Sequence, residues 1–135
     1  MEDRTHLTLA DVIGLHGSVM RRLGQTAKPL RDEGALESAV MRSRMAAYYE
    51  EADAVRQAAL LAVGISQAQA FLDGNKRTAL AAMYVFLLRN GFAFPEDLIV
   101  AAQQLELVAE RGGERAAAED AFEAWLRERV TATDR

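Results

Sequence analysis

Two long apolar segments, residues 54–68 and 79–88, flank a short polar turn near the middle of the chain. Neither segment has a clear polar face, and segments that are apolar on every side are typical of buried helices. The turn between them, D-G-N-K-R-T at residues 73–78, contains one carboxylate, one amide and two cations. We therefore predict two central helices that converge on one polar loop, with Lys76 and Arg77 in the first turn of the second helix.

The N-terminal third of the chain predicts two further helices. Thr8 and Asp11 form a capping arrangement before an amphipathic helix, and Gly24 is a suitable end for it. A second helix is expected to start at about Asp32. Residues 25–31 between the two helices contain a proline and indicate a loop.

The C-terminal third predicts two more helices. Asn90-Gly91 suits the end of the second central helix, and Pro95-Glu96-Asp97 suits the first turn of a helix that reaches about residue 110. Gly112-Gly113 is expected to break this helix. A last amphipathic helix is predicted over residues 117–130.

The chain is long enough for one domain with a sizeable core. It has 135 residues, of which 50% are hydrophobic, and this fraction is too high for a disordered chain. Residues 48–53 fit either a loop or a short β-hairpin. The predicted fold class is therefore all-α, a bundle of about six helices with at most one small β-hairpin.

Charge and composition exclude several functional classes. The formal net charge of −4 and the isoelectric point of about 5.2 argue against nucleic-acid binding over the whole surface. The absence of cysteine excludes disulfides and thiol chemistry, and two histidines are too few for a histidine-rich metal centre. The N-terminus lacks a signal-type apolar run, and neither central segment is a convincing membrane span. We expect a cytoplasmic protein with no membrane partner and no direct nucleic-acid partner.

The residue types in the polar turn suit an anion site. Asp73 offers a hard oxygen ligand for Mg²⁺, and Gly74 allows the backbone to approach a bound group closely. The amide of Asn75 can donate to a phosphate oxygen or cap the following helix. Lys76 and Arg77 add a point charge and a planar fork next to the free N–H groups of a helix N-terminus. Residue types alone leave a second interpretation open, an ordinary turn followed by a solvated helix start.

Residues 71–80, F-L-D-G-N-K-R-T-A-L, resemble the signature H-x-F-x-[DE]-[AG]-N-[KG]-R of the Fic/Doc (Fido) superfamily. Lys76 stands where Fic AMP-transferases have glycine, which places the chain nearer the Doc, or death-on-curing, branch. Further similarity lies at residues 7–16, 30–39 and 89–92. The resemblance covers roughly residues 5–130 and implies a single Fido-type domain over residues 1–135.

The resemblance implies a function. Doc proteins are toxins of toxin–antitoxin modules that transfer the γ-phosphoryl of ATP to a hydroxyl of a translation elongation factor. By position, Asp73 is implied to hold Mg²⁺, and Gly74, Asn75, Lys76 and Arg77 to hold the ATP phosphates. The cognate antitoxin is expected to be a separate chain that binds across the site, since residues matching the family's inhibitory segment are absent from this chain.

Gln69 departs from the signature, because it occupies the position of the family's general-base histidine. Glutamine cannot accept a proton at neutral pH, and loss of a positioned base typically costs ~10²–10⁴-fold in rate. The chain is then a degenerate or repurposed copy, a variant whose histidine was replaced deliberately, or an enzyme that works by another route. Two other functions remain open: a Fic-type AMP-transferase, and a catalytically silent module that binds nucleotide or antitoxin.

Other residues are less informative. His16 is interpreted as a partly buried helix histidine rather than a substitute base, and Arg31 as a surface arginine. Tyr48 and Tyr49 are expected to pack against the fold, with a target-aligning flap as the alternative.

Overall fold

Six α-helices and two short strands make up the part of the chain that the computed structural model describes, residues 6–110 and 114–133. The all-α prediction is confirmed. In chain order the elements are α1 (Leu9–Arg22), α2 (Glu33–Tyr49), α3 (Ala54–Ala68), α4 (Asn75–Arg89), β1 (Phe92–Ala93), α5 (Leu98–Glu110), α6 (Arg115–Arg127) and β2 (Thr131–Ala132).

The two apolar segments form the centre of the bundle, as predicted. Helix α3 packs against α2, α4 and α6, and every residue from Val55 to Ile65 except Arg56 is buried. Gly64 allows α2 to approach closely, because a Cβ at this position would lie 3.3 Å from the Cβ of Ala39. The tight packing of α3 fixes the position of its C-terminal end, where the polar loop begins.

Side-chain caps explain where the first three helices begin. Thr8 and Asp11 form a reciprocal capping box at α1, with distances of 3.0 Å from the Asp11 N–H to Thr8 Oγ1 and 2.9 Å from the Thr8 N–H to Asp11 Oδ2. Asp32 caps α2 through Oδ1, and Asp53 caps α3 in the same way. The predicted starts of α1 and α2 are confirmed.

The small β element does not lie at residues 48–53, for which a short hairpin was one of two interpretations. Tyr48 and Tyr49 are the last two residues of α2, and residues 50–53 form a loop. The expectation that these tyrosines pack is wrong, since they are 63% and 82% exposed. The antiparallel pair joins β1 to β2, with Phe92 opposite Ala132. These strands are far apart in sequence, so local turn signals could not indicate their pairing.

The boundaries of the last two helices differ from the predicted ones. Helix α5 begins at Leu98 rather than at Pro95. Asp97 caps the helix, because its Oδ1 accepts the Ile99 N–H at 2.9 Å. Helix α6 ends at Arg127, so Val130 lies beyond it, just before β2. The predicted break at residues 112–113 lies outside the described residues.

An ion-pair network joins the start of α3 to α6. Arg56 contacts Glu123 at 2.7 Å, and Arg127 contacts Asp53 at 2.9 Å and Glu123 at 2.7 Å. Hydrogen bonding from Arg127 lowers the pKa of Asp53 despite the opposing effect of partial burial. Asp53 and Arg56 lie at the N-terminal end of α3, and the polar loop follows its C-terminal end. Since α3 has 15 residues and a helix rises about 1.5 Å per residue, the two ends are far apart. The network therefore stabilises the end of α3 that is distant from the polar loop.

Among the described residues, none of the helices combines the length and the apolar character needed to cross a lipid bilayer.

Candidate functional site

The polar loop, residues 69–74, joins α3 to α4 and borders an open pocket of about 780 Å³. The walls of this pocket come from the second half of α1, the loop itself, the first half of α4 and the start of α5. All six site residues singled out in the sequence line it: Gln69, Asp73, Gly74, Asn75, Lys76 and Arg77.

The loop begins and ends with a left-handed backbone conformation. Gln69 has φ 52° and Gly74 has φ 82°. A Cβ at Gly74 would lie 2.9 Å from Met20 Sδ of α1, so the methionine side chain would have to shift, and in ordinary contact with His16 Cδ2 at 3.5 Å. Glycine at this position therefore allows both the turn into α4 and the close approach of α1 to the loop.

The start of α2 holds the first part of the loop through its carbonyl groups. Nη2 of Arg31 donates to the main-chain oxygen of Gln69 at 2.5 Å. The N–H groups of Arg31 and Asp32 both donate to the oxygen of Ala70, at 2.7 and 3.2 Å. Arg31 is thus a loop contact rather than merely a surface arginine.

Asn75 closes the loop from within. Its Oδ1 accepts the Phe71 N–H at 3.0 Å, and its Nδ2 donates to the Phe71 oxygen at 2.8 Å. Phe71 is 2% exposed and anchors the loop to the core. The amide of Asn75 does not cap α4, whose N-cap Gly74 makes no side-chain capping bond. One N–H of the amide remains for a ligand, since a primary amide has two donors.

His16 contacts the loop from α1. Its Nε2 lies 2.8 Å from the main-chain oxygen of Asp73, and its ring stacks on Phe71 with centroids 3.8 Å apart and planes 9° apart. The side chain is buried, with 4% exposed. His16 is therefore engaged in holding the loop and does not line the pocket as a substitute base.

Five of the six carbonyls from residue 69 to residue 74 accept a hydrogen bond within the protein, next to the N-terminus of α4. The carbonyls of residues 69, 70, 71 and 73 each accept a protein hydrogen bond, and that of Gly74 accepts the Thr78 N–H. The first turn of α4 has no side-chain cap. Free N–H groups at a helix N-terminus, next to occupied carbonyls, favour an anion.

Two cations in the first turn of α4 differ in their surroundings. Nζ of Lys76 forms an ion pair with Glu106 of α5. Arg77 is exposed and has no ion-pair partner within the described part of the chain. Arg77 can thus meet a phosphate directly, whereas Lys76 must first leave Glu106. Arg22 and Asp97 also line the pocket.

The donor set fits Mg²⁺ bound together with phosphates. The exposed Asp73 carboxylate lines the pocket, and its Oδ1 accepts the Gly74 N–H at 2.8 Å. Within residues 6–110 and 114–133, no group of three or more histidine, cysteine or acidic side chains could hold a metal ion by itself. Mg²⁺ is usually bound by one or two carboxylates and completes its shell with phosphate oxygens and water.

Position 69 provides no proton acceptor in the pocket. The Gln69 side chain turns back on α3, where Nε2 donates to the Ser66 oxygen at 2.9 Å. Among the described residues that line the pocket, the acidic ones are Asp73 and Asp97, and none is a histidine. The described lining of the pocket therefore has groups that can bind phosphates but no histidine that could act as a base.

Sequence reasoning assigned no site role to four residues of this region: Arg22, Arg31, Asp97 and Glu106. Arg22 had no local pattern to mark it, and Asp97 was interpreted only as part of a helix start. Arg31 and Glu106 are distant in sequence from their partners Gln69 and Lys76, and only the folded structure brings them into contact.

The sequence of this region matches a known protein family. The family model described as Fic/DOC family matches residues 6–87, from just before α1 through most of α4. The chain belongs to the Fic/DOC family. Within the family it is similar to the protein named "Protein kinase doc" of Escherichia phage P1, with 34% identity over 108 residues, which cover 76% of this chain and 85% of the phage protein. The matched region of this Fic/DOC chain includes the entire polar loop and the start of α4.

Proposed function

We propose that this chain is a Doc-type toxin of a toxin–antitoxin module that binds ATP with Mg²⁺ at the polar loop. Its reaction is transfer of the γ-phosphoryl of ATP to a hydroxyl of a translation elongation factor, at a rate much reduced by Gln69. The proposal is supported by similarity to a phage protein named as a protein kinase. The observation that carries it is the uncapped N-terminus of α4 beside Asp73, Lys76 and Arg77 in one pocket.

Asp73 and the first three residues of α4 each have a defined part in binding ATP. The Arg77 guanidinium contacts phosphate oxygens through two parallel N–H bonds. Lys76 exchanges Glu106 for a phosphate, and the second Nδ2 hydrogen of Asn75 adds one donor. Asp73 holds Mg²⁺, which when bound neutralises charge on the phosphate oxygens.

Transfer forms a bond between the acceptor hydroxyl oxygen and the γ-phosphorus and breaks the bond from that phosphorus to the bridging oxygen. ADP leaves, and the hydroxyl proton must be removed. Gln69 cannot take this proton, so it passes to solvent water. Because a positioned base contributes ~10²–10⁴-fold, while phosphoryl transfer depends mainly on positioning and charge neutralisation, we expect slow residual transfer.

The antitoxin is expected to be a separate chain that covers the pocket. Apolar side chains stand exposed among the pocket-lining residues: Leu23 (40%), Leu72 (56%) and Ile99 (62%). Exposed apolar side chains beside a phosphate site are contacts that a partner helix could cover.

A second candidate function is a catalytically silent module that binds nucleotide and antitoxin. Gln69 favours it, because the side chain points to Ser66 and has no basic group. The donor groups for phosphate are unaffected by this substitution. The two candidates therefore share ATP binding and differ in transfer.

The test compares the wild-type chain with Gln69→His. Each is incubated with Mg²⁺, purified elongation factor and ATP labelled at the α- or γ-phosphate. Histidine tolerates the left-handed conformation at position 69 better than most side chains. Gln67→His, on the exposed end of α3, is the matched control for an added imidazole.

We expect Gln69→His to transfer γ-label at least ~10²-fold faster than wild type and Gln67→His to match wild type. Transfer of α-label would instead identify an AMP-transferase. ATP binding without transfer of either label by Gln69→His would favour the silent module. Absence of ATP binding in both chains would contradict the proposed function.

A further inference from the structure

We infer that His16 is a positioning residue of the polar loop, which sets the orientation of the Asp73 carboxylate through the main chain. Its importance for Mg²⁺·ATP rests on the proposed function, whereas its hold on the loop does not. One imidazole holds two loop residues at once: it bonds to the main chain of Asp73 and stacks on Phe71. It also lies 3.5 Å from the position that a Cβ of residue 74 would occupy.

The bond to Asp73 determines the tautomer of His16. A main-chain carbonyl oxygen only accepts hydrogen bonds, so the imidazole nitrogen 2.8 Å away must carry the hydrogen. A neutral His16 therefore has its proton on Nε2 and none on Nδ1.

The held carbonyl belongs to the peptide that orients the metal ligand. The Asp73 oxygen accepts from His16, while the N–H of the same peptide, that of Gly74, donates to Asp73 Oδ1 at 2.8 Å. Rotation of this peptide would break both bonds and turn the carboxylate. His16 thus fixes the peptide, and the peptide fixes the carboxylate toward the pocket.

This arrangement separates two parts of nucleotide binding. Lys76 and Arg77 are held by α4 itself, so their contacts with phosphates do not depend on the Asp73 peptide. Loss of the His16 bond should therefore weaken ATP binding chiefly when Mg²⁺ is present. A general loss of fold would weaken binding with and without the metal ion.

Two variants divide the functions of the ring. His16→Phe keeps an aromatic ring for Phe71 but removes the donor. His16→Gln loses the stacking but retains an N–H near the place of Nε2. ATP affinity is measured by calorimetry in Mg²⁺ and again in EDTA, with thermal unfolding as a check of the fold. Amide hydrogen exchange at Gly74 and Phe71 reports loop opening.

We expect His16→Phe to raise the dissociation constant for ATP about tenfold in Mg²⁺ and less than about threefold in EDTA. Exchange at Gly74 should accelerate about tenfold. His16→Gln should restore most of the Mg²⁺-dependent affinity. Equal losses in Mg²⁺ and EDTA, or unchanged Gly74 exchange in His16→Phe, would overturn the inference.

The wild-type chain provides an independent measurement. Two-bond ¹⁵N–¹H correlations of the imidazoles above pH 8 distinguish the tautomers, and His6 is the only other histidine. We expect His16 to be protonated at Nε2, and a proton on Nδ1 alone would contradict the inference. If wild type binds no ATP, the proposed function fails, and the tautomer and exchange measurements still decide the role of His16.

Discussion

Arg31 and Gln69 are joined by a hydrogen bond from guanidinium Nη2 to the main-chain oxygen, at 2.5 Å. The same arginine donates its main-chain N–H to Ala70 at 2.7 Å. The segment just before α2 therefore holds Gln69, the left-handed C-cap residue of α3. This contact fixes the main-chain direction at the start of the loop. Neither residue needs to contact a ligand through its side chain.

Replacing Arg31 should loosen the start of the loop. For Arg31→Ala we expect a loss of about 1 kcal/mol in the free energy of unfolding, because the bond is charge-assisted but exposed. Urea denaturation measures this loss. Lys28→Ala removes another exposed cation from the same inter-helix segment and should change stability by less than about 0.5 kcal/mol. Equal effects of the two variants would show that the guanidinium bond contributes nothing.

Gly74 and Gly91 form a matched pair for measuring how much an added side chain lowers the free energy of unfolding. Both have positive φ, 82° and 88°, but a Cβ at Gly74 meets Met20 Sδ at 2.9 Å whereas none of the described atoms lies within 4 Å of one at Gly91. Gly91→Ala should cost about 1 kcal/mol from backbone strain alone. Gly74→Ala should cost about 1–3 kcal/mol more, from the added steric conflict. Denaturant midpoints at equal slope measure the difference, and similar losses would mean that Met20 moves aside freely.

Glu106 should compete with phosphate for Lys76. Glu106→Gln frees the ammonium, and exposed ion pairs contribute about 0.2–1 kcal/mol, so ATP should bind up to about fivefold more tightly. Added salt should reduce this gain through screening. Glu37→Gln makes the same charge change at an exposed position of α2 away from the pocket lining. Unchanged or weaker ATP binding in Glu106→Gln would contradict the competition.

Asp53 should make stability depend on pH in the acid range. Hydrogen bonding from Arg127 lowers its pKa below the ordinary 3.8. A carboxyl with a lowered folded pKa contributes stability that is complete above 3.8 and is lost as pH falls through the folded value. Asp53→Asn keeps an N-cap for α3 but removes the charge. It should therefore be less stable than wild type at pH 7, and the difference should shrink at pH 2–3.

Thermal unfolding from pH 7 to pH 2 measures this convergence. Glu50, whose pKa is lowered chiefly by hydrogen bonding from Arg42, remains in both chains and serves as an internal control. Parallel curves for wild type and Asp53→Asn over the whole range would mean that the ion pair with Arg127 is energetically silent.

Helices and caps were predictable because they depend on neighbours in sequence. The apolar runs of α3 and α4, the capping box of Thr8 and Asp11, and the cap at Asp32 all follow from residues three or four positions apart. The predicted start of α5 was wrong for an equally local reason, since the Asp97 cap competes with the preference of Pro95 for a first helical turn. The roles of the site residues remain predictions, although the structure gathers all of them at one pocket.

The sequence by itself determined the two central helices, which depend on short-range spacing, and the residue types of the loop between them, including Gln69 at the position of the family's histidine. Only the tertiary structure decided which distant residues hold the loop. His16 meets Asp73 across 57 positions, Arg31 meets Gln69 across 38, and Glu106 meets Lys76 across 30. The pairing of β1 with β2 is of the same kind. Such contacts follow from how the helices pack around the buried α3, and local sequence patterns do not predict that packing.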